Sequence, residues 1–343
     1  MNKKLRLIEL FAGIGAQARA LERLGVPFEH YRCIEFDKKA ITSYNRLHGT
    51  DFKDQSICDI TGADLGVVDC DKYVYIMTYS FPCQDLSNSG KKRGMSRTAN
   101  NRSSLLWEVE RLLTEMEEKP QVLLMENVTA VHNKRNFPNF SEWCQRLEEM
   151  GYTNYYADLN SKDYGVPQSR PRCFMVSFLG EQQSLFEFPQ PFELTRTWDK
   201  IIDPTVQDEE DIGNSDRALM FKNDIMSKGL DDGFYLASCS IYPEILDSGY
   251  TRCLLTQNYV IGEWQDGTVA VDIRGNNIKA RYLRPVEMWQ LMGFSVEDYN
   301  KCIAIGAEWL TKQAGNSIVV DVLQYIFESI LQHLKDNDDI DII

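Results

Sequence analysis

A cysteine follows a proline at the end of an apolar run in Thr78-Tyr79-Ser80-Phe81-Pro82-Cys83-Gln84-Asp85-Leu86-Ser87. Proline fixes its own φ, so a thiol placed directly after it has a set direction. A thiol that attacks carbon must be ionised and rigidly aimed, and the carboxyl ends of strands are where open α/β sheets present their chemistry. Glu126 ends another apolar run, in Leu123-Leu124-Met125-Glu126-Asn127-Val128. An apolar site can hold such a carboxyl protonated, although a helix N-cap or a surface salt bridge is the plainer role. No histidine base for the thiol is evident. His30, His48, His132 and His333 form no cysteine–histidine signature and read as structural or surface residues.

Phe11-Ala12-Gly13-Ile14-Gly15 follows a strand-like run and opens a helical one. In that context a G-x-G turn lets the backbone approach a ligand and aims helix N–H groups at an anion. The third glycine of a dinucleotide fingerprint is missing, since Ala16, Gln17 and Ala18 follow. Glu35 lies after the next strand, where an acid usually holds a ribose diol. Asp59, past a further extended run, could accept from an adenine amino group. An exposed charge at Glu35 and an N-cap at Asp59 are equally open. Together these residues point to an adenosine-containing cofactor without separating NAD from S-adenosylmethionine.

The elements that must position these groups alternate. Strand-like runs occupy residues 5–10, Tyr31–Phe36, Lys72–Thr78, Val122–Met125 and Cys173–Phe178, with helical patterns at about 38–48, 103–118 and 139–150 between them. Such alternation implies a mostly parallel sheet covered by helices on both faces. After residue 181 the rhythm breaks into a stretch richer in proline and acid. Short β-like pieces (FYLAS, TRCLLT, TVAVDI, ARYL) then fall between 234 and 285 and suggest a smaller, strand-rich domain. Residues 308–335 return to a helical pattern.

Composition sets the outer limits. A chain of 343 residues fits one large domain or two unequal ones, and two is the expectation. No stretch approaches the roughly 18 apolar residues of a membrane span, and MNKKLRLIEL carries no signal-peptide cleavage site, so a soluble cytoplasmic protein without a membrane partner is expected. The nine cysteines are scattered singly, with no C-x-x-C pair and no zinc-like histidine spacing, which reads as reduced thiols and no metal. A net charge of −14 argues against non-specific coating of nucleic acid.

The ordered set FAGIG, IEFD, CDIT, SFPCQDLSNSG, ENV, VPQSRPR, RYLRPVEMWQLMGF and AGNSIVV resembles the cytosine-5 DNA methyltransferases over nearly the whole chain. The resemblance implies an α/β fold: a Rossmann-like S-adenosylmethionine-dependent methyltransferase sheet with a smaller, strand-rich target-recognition domain. Residues 1–181 with 308–343 would form the catalytic and cofactor-binding domain, and residues 182–307 the target-recognition domain and hinge. It also implies that Cys83 attacks C6 of a flipped cytosine and that Glu126 serves at N3. Arg172 would lie near O2 and help keep Cys83 ionised, with Arg170 in support. Phe11, Ala12, Gly13, Ile14, Gly15, Glu35, Phe36, Asp59, Ile60, Pro82, Leu86, Asn316 and Ser317 map onto the S-adenosylmethionine pocket, Asn316 also bracing the cysteine loop. Glu9 stands where the family more often has aspartate, and Ala16 where it more often has glycine.

From Leu86 to Trp107 the sequence carries Lys91, Lys92, Arg93, Arg97 and Arg102 with no acid. Beside the nucleophile, such a loop is expected to close on the phosphates of double-stranded DNA, Ser87 included. Arg274, Lys279, Arg281 and Arg284 are further candidates for backbone contact. The partners implied are duplex DNA and, where one accompanies the enzyme, a restriction endonuclease; a monomer is expected. Two other functions stay open. One family branch methylates cytosine in tRNA, although its Cys-Phe-Thr tripeptide is absent here. A catalytically silent DNA-binding homologue is the other, disfavoured by the presence of Cys83, Glu126 and Arg172. The broken glycine pattern disfavours a nicotinamide dehydrogenase.

Overall fold

The computed structural model describes residues 2–83, 86, 94–97, 102–194, 197–204, 210–211, 216–238, 244–246, 248–254, 256, 268–275, 277–338 and 341–342. They form two compact units: Met1–Leu159, Pro171–Gln190 and Val322–Ile343 make up the first, Asn160–Arg170 and Pro191–Asp321 the second. No helix among the described residues is long and apolar enough to cross a membrane.

In the first unit, β1 (Asn2–Leu10) pairs in parallel with β2 (Phe28–Ile34) on one side and β3 (Tyr73–Tyr79) on the other. β4 (Val122–Val128) continues in parallel beside β3. The seven-stranded sheet is completed by the short β12 (Asp341–Ile342), which pairs in parallel with the start of β1, by β5 (Tyr152–Asn160) and by β6 (Pro171–Leu179), which runs antiparallel to β4. β3 and β4 are apolar almost residue by residue because helices cover both faces of a parallel sheet. Polar groups are therefore pushed to the strand ends. Loops after β1, β2, β3 and β4 all leave from carboxyl ends, which brings the glycine loop, Glu35, Cys83 and Glu126 to one edge.

The connecting helices follow the sequence pattern. α1 (Ala16–Leu24) and α2 (Lys38–His48) each stop at a left-handed glycine, Gly25 and Gly49. α2 starts on Asp37, whose side chain accepts from the amides of Lys39 and Ala40. α3 (Leu106–Glu115) and α4 (Phe137–Glu149) follow β3 and β4, and α4 buries Phe140, Trp143 and Leu147 at helical spacing. Trp143 donates its indole N–H to the Tyr79 hydroxyl at 3.0 Å, so its one polar atom is satisfied inside the core. β5 is absent from the expected strands. It lies at the edge of the sheet, only Tyr152 and Leu159 are buried along YTNYYADLN, and no apolar run marks it.

The second unit carries a five-stranded sheet in the order β7-β11-β10-β8-β9: β7 (Glu210–Asp211), β8 (Gly233–Ser238), β9 (Glu244–Leu246), β10 (Thr268–Arg274) and β11 (Asn277–Tyr282). Three of the expected β-like pieces lie on β8, β10 and β11. The fourth, TRCLLT, makes only an isolated bridge through Thr251, because Leu254 N–H is taken by the Gln168 carboxamide. α5 (Asp216–Lys228) was hidden by its acidic surroundings; Ala218, Phe221 and Ile225 bury one face in the core that β8, β10 and β11 share. The helices α6 (Pro285–Leu291), α7 (Val296–Cys302) and α8 (Ala307–Asn316) follow in this unit, and α9 (Val320–Asp338) belongs to the first unit from Val322 onward.

The compact units are cut at other places than the expected 181/182 and 307/308 boundaries. Residues 160–170 group with the second unit because Gln168 and Arg170 bond to the backbone of Leu291, Leu254, Gly315 and Ser317. Residues 308–321 do so because Trp289 in α6 donates to the Leu310 carbonyl of α8. Trp143→Ala is expected to cost about 3–5 kcal/mol by urea denaturation, whereas Leu185→Ala, at an 80% exposed site, should stay within about 0.5 kcal/mol. Equal effects would show that the core is not centred on β3 and α4.

Candidate functional site

Cys83 lies four residues beyond the end of β3, half-buried, on a backbone whose successive carbonyls are each bonded. The Asn127 carboxamide donates to Phe81 O at 2.9 Å, the Ser103 hydroxyl donates to Pro82 O at 2.6 Å, and the Leu86 amide donates to Cys83 O at 2.9 Å. Asn127 and Ser103 are themselves buried, so the bonds are protected from water. This is rigid aim for a thiol, achieved from two different elements. Neither Asn127 nor Ser103 was among the expected site residues. Asn127 sits inside the ENV motif, but its effect is exerted 46 residues away.

Glu126 is the last buried acid of β4, and Arg172 opens β6 beside it. Arg172 Nε lies 3.1 Å from Glu126 Oε1, with side chains 15% and 11% exposed, so the pair is partly shielded yet reachable. Arg172 also donates to the Pro171 carbonyl, which limits its swing. The antiparallel register that sets Val128 opposite Arg172 and Glu126 opposite Phe174 makes the two charges diagonal neighbours.

The glycine loop is strained as its composition requires. Phe11, Gly13 and Gly15 have φ of 56°, 58° and 81°. Glu35 is buried and accepts from Gly13 N–H and from Asp37 N–H, each at 2.9 Å. Burial pushes its carboxyl up, against the pull of those amides. A Cβ built on Gly13 would meet nothing within 4 Å, which leaves an open face beside Glu35. Phe36 next to it is 69% exposed, an aromatic surface with no protein cover. Asp59 is exposed and Ile60 buried; Ala12, Ile14 and Leu86 are buried and Pro82 half-buried. An acid, an open glycine face and a bare aromatic ring suit an adenosine, so the residues present fit the expected cofactor.

Within the second unit Arg170 is buried at 4% exposure, and its guanidinium is spent on backbone. It donates to Leu254 O at 3.1 Å, Gly315 O at 2.7 Å and Ser317 O at 2.9 Å. It also donates to Cys253 Sγ at 3.3 Å, so the guanidinium expected at the catalytic site is engaged by groups of its own unit. Asn316 is exposed at the end of α8, and Ser317 caps that helix.

The expected DNA-contacting residues divide sharply. Ser87, Lys91, Lys92 and Arg93 lie outside the described residues. Arg97 is held by ion pairs to Glu110 and Glu142 and stacks 3.8 Å from the Trp107 ring centroid. Arg274 is 63% exposed and pairs with Asp272 at 3.1 Å. Arg281 must be corrected. It is buried and forks onto Glu287 at 2.8 and 2.9 Å, with a further bond to Asp203 O, so it cannot reach a phosphate.

A family model described as C-5 cytosine-specific DNA methylase matches residues 5–332. The type II methyltransferase M2.ScrFI of Lactococcus lactis subsp. cremoris is 29% identical, the alignment covering 96% of this chain and 99% of the relative. The orphan methyltransferase M.SssI of Spiroplasma monobiae is 30% identical, with 96% and 98% covered. Among solved structures, the Entamoeba histolytica methyltransferase EhMeth superposes with a TM-score of 0.72 at 20% identity, covering 97% of this chain and 99% of that one. That likeness supports the fold: a mixed α/β chain with a parallel-dominated sheet, as expected from sequence.

The two loop glycines separate strain from space. Gly13→Ala meets no neighbour and should cost only the left-handed penalty of about 1–2 kcal/mol, whereas at Gly15 a Cβ falls 2.4 Å from His48 Nε2 and 2.7 Å from Tyr44 Cε2. Gly15→Ala is therefore expected to lower the urea midpoint further than Gly13→Ala. The reverse order would mean that the loop is not packed on α2.

Proposed function

The chain belongs to the C-5 cytosine-specific DNA methylase family, and on that footing we propose that it methylates C5 of a cytosine flipped out of a specific duplex DNA site. The observation that carries this reading is the pinned Phe81-Pro82-Cys83 backbone at the same sheet edge as the Glu126–Arg172 pair. In the proposed reaction the Cys83 thiolate adds to C6 and a bond forms between sulfur and carbon. The electron pair released from the C5=C6 bond makes C5 nucleophilic. Glu126, by a proton or a hydrogen bond at N3, takes up the charge that spreads into the ring, and Arg172 holds both Glu126 and the base. When bound, S-adenosylmethionine supplies an electrophilic methyl group on a sulfonium sulfur, and Glu35, Phe36, Gly13 and Asp59 are the residues that would hold its adenosine. Loss of the C5 proton and departure of the Cys83 sulfur restore the aromatic ring.

The site must be read elsewhere than at Cys83, and residues 182–280 of the target-recognition domain are proposed to do it, through side chains at base edges. Lys91, Lys92 and Arg93 would contact phosphates. The enzyme would act as a cytoplasmic monomer on duplex DNA, with a restriction endonuclease of the same site as a further partner where one exists.

With duplex DNA carrying 5-fluorocytosine at the target, a covalent complex through Cys83 should accumulate, because fluorine cannot leave as the C5 proton does. Cys83→Ala should abolish both trapping and turnover, and normal methylation by it would remove the nucleophile assignment. Glu126→Gln should lower kcat by about 10²-fold or more while S-adenosylmethionine affinity holds within about twofold, the mark of a group that acts in the transition state. Methylation of tRNA in place of duplex DNA would keep the chemistry and overturn the substrate.

A further inference from the structure

Behind the glycine loop lies a group of buried and half-buried titratable side chains that the proposed reaction does not use. Glu9 comes from β1, Arg19 and Glu22 from α1, His30 from β2, and Tyr44 and His48 from α2; the buried Cys33 thiol of β2 also faces Glu9. His48 hydrogen-bonds to the loop. Its side chain has no exposure, its Nδ1 is 2.7 Å from Glu22 Oε1, and its Nε2 is 3.3 Å from the carbonyl oxygen of Ile14, between the two loop glycines.

Both partners of the ring are acceptors. A carbonyl has no hydrogen to give, and Glu22 is ionised, since the guanidinium of Arg19, which does not give up its proton, lies 2.6 Å from its other oxygen. A neutral imidazole carries one N–H and would leave one of its two nitrogens facing an acceptor with nothing to donate. His30 is different. Tyr44 gives its own hydroxyl hydrogen to Glu9 Oε2 at 2.5 Å, so His30 Nδ1, 3.1 Å from that hydroxyl oxygen, donates to it. The other His30 nitrogen is 3.5 Å from Glu22, too far to require a second proton. The rings of His30 and His48 lie 5.3 Å apart, where two cations would repel, and a single charge on His48 avoids that.

We propose that His48 is a positioning residue of the cofactor loop: doubly protonated, it bridges the Glu22 carboxylate and the Ile14 carbonyl and so clamps Gly13-Ile14-Gly15 in the conformation that binds cofactor. The inference rests on the reading of that loop as the S-adenosylmethionine site. It explains why Gly15 tolerates no Cβ, since His48 and Tyr44 occupy that space.

The first test needs no turnover and no cofactor. Nitrogen-15 spectra of the imidazoles in the cofactor-free protein should show His48 with both nitrogens protonated at about pH 6.5 and His30 with one. A His48 ring bearing one bare nitrogen there would overturn the proposal. The second test is calorimetric titration of S-adenosylmethionine. His48→Phe should bind roughly tenfold more weakly than wild type, and His30→Gln should stay within about twofold of it. A His48→Phe protein with unchanged affinity would overturn the proposal; if that variant does not fold, the wild-type spectra decide. Absence of S-adenosylmethionine binding by the wild type would instead sink the cofactor reading, and the protonation of His48 would still be reported by its spectrum.

Discussion

A single carboxamide ties together the two strands on which the site depends. β3 and β4 lie side by side in parallel, buried on both faces, and so can offer reactive groups only where they end. Cys83 is not on β3 but four residues past it, and a free extension of that length would wander. Asn127 prevents this by donating from the end of β4 to Phe81 O, while its own Oδ1 accepts from Val128 N–H. The same residue therefore sets the exit of Glu126 and the exit of Cys83. Ser103 adds a second tether at Pro82, from the segment just before α3. Cys83 and Glu126 inherit their relative placement from the sheet, which cannot shift without breaking its ladder.

Arginine is where the chain's chemistry is least readable from local sequence. Arg97, Arg170, Arg172, Arg274 and Arg281 all sit in segments that invite a phosphate or a base. What each does is decided by an acceptor elsewhere: Glu110 and Glu142 for Arg97, the carbonyls of Leu254, Gly315 and Ser317 for Arg170, Glu126 for Arg172 and Glu287 for Arg281. A buried guanidinium must spend its donors on protein, since leaving them unpaired in a dry interior costs several kcal/mol, on the order of a lost ion pair. Arg281 and Glu287 are only six residues apart, yet the turn between β11 and α6 had to be known before the pair could be read.

The sequence was most legible where burial is two-sided and chemistry is local. The runs at Lys72–Thr78, Val122–Met125 and Cys173–Phe178 lie on β3, β4 and β6, and α2 occupies 38–48 as its periodicity indicates. β5 escaped because it lies at the sheet edge with only Tyr152 and Leu159 buried, so no apolar run marks it. α5 escaped because only Ala218, Phe221 and Ile225 carry its buried stripe amid acidic neighbours. At the site, Cys83, Glu126 and Glu35 announced themselves through type and position. Asn127, Ser103 and His48 did not, because each matters through a backbone carbonyl distant in sequence, and a carbonyl has no signature in the one-letter code.

Glu9 shows how a departure from the family's pattern is absorbed. Glutamate is one methylene longer than the commoner aspartate, and the extra reach is used: Oε2 accepts from Tyr44 O–H at 2.5 Å and Oε1 from Ala18 N–H at 3.4 Å. Burial pushes both the carboxyl and the Tyr44 phenol up, with the Glu9 charge adding to the second effect, and the phenol is the donor and the carboxyl the acceptor. The acceptor lies at the first turn of α1, where N–H groups lack helical partners and a negative end is favoured. A shorter acid at this position would have to move α1 or abandon Tyr44. Because Tyr44 and His48 are one turn apart on α2, and both press on Gly15, the length of residue 9 is coupled to the geometry of the loop it precedes. The substitution is mild only because α2 brings a phenol to the place where the longer acid ends.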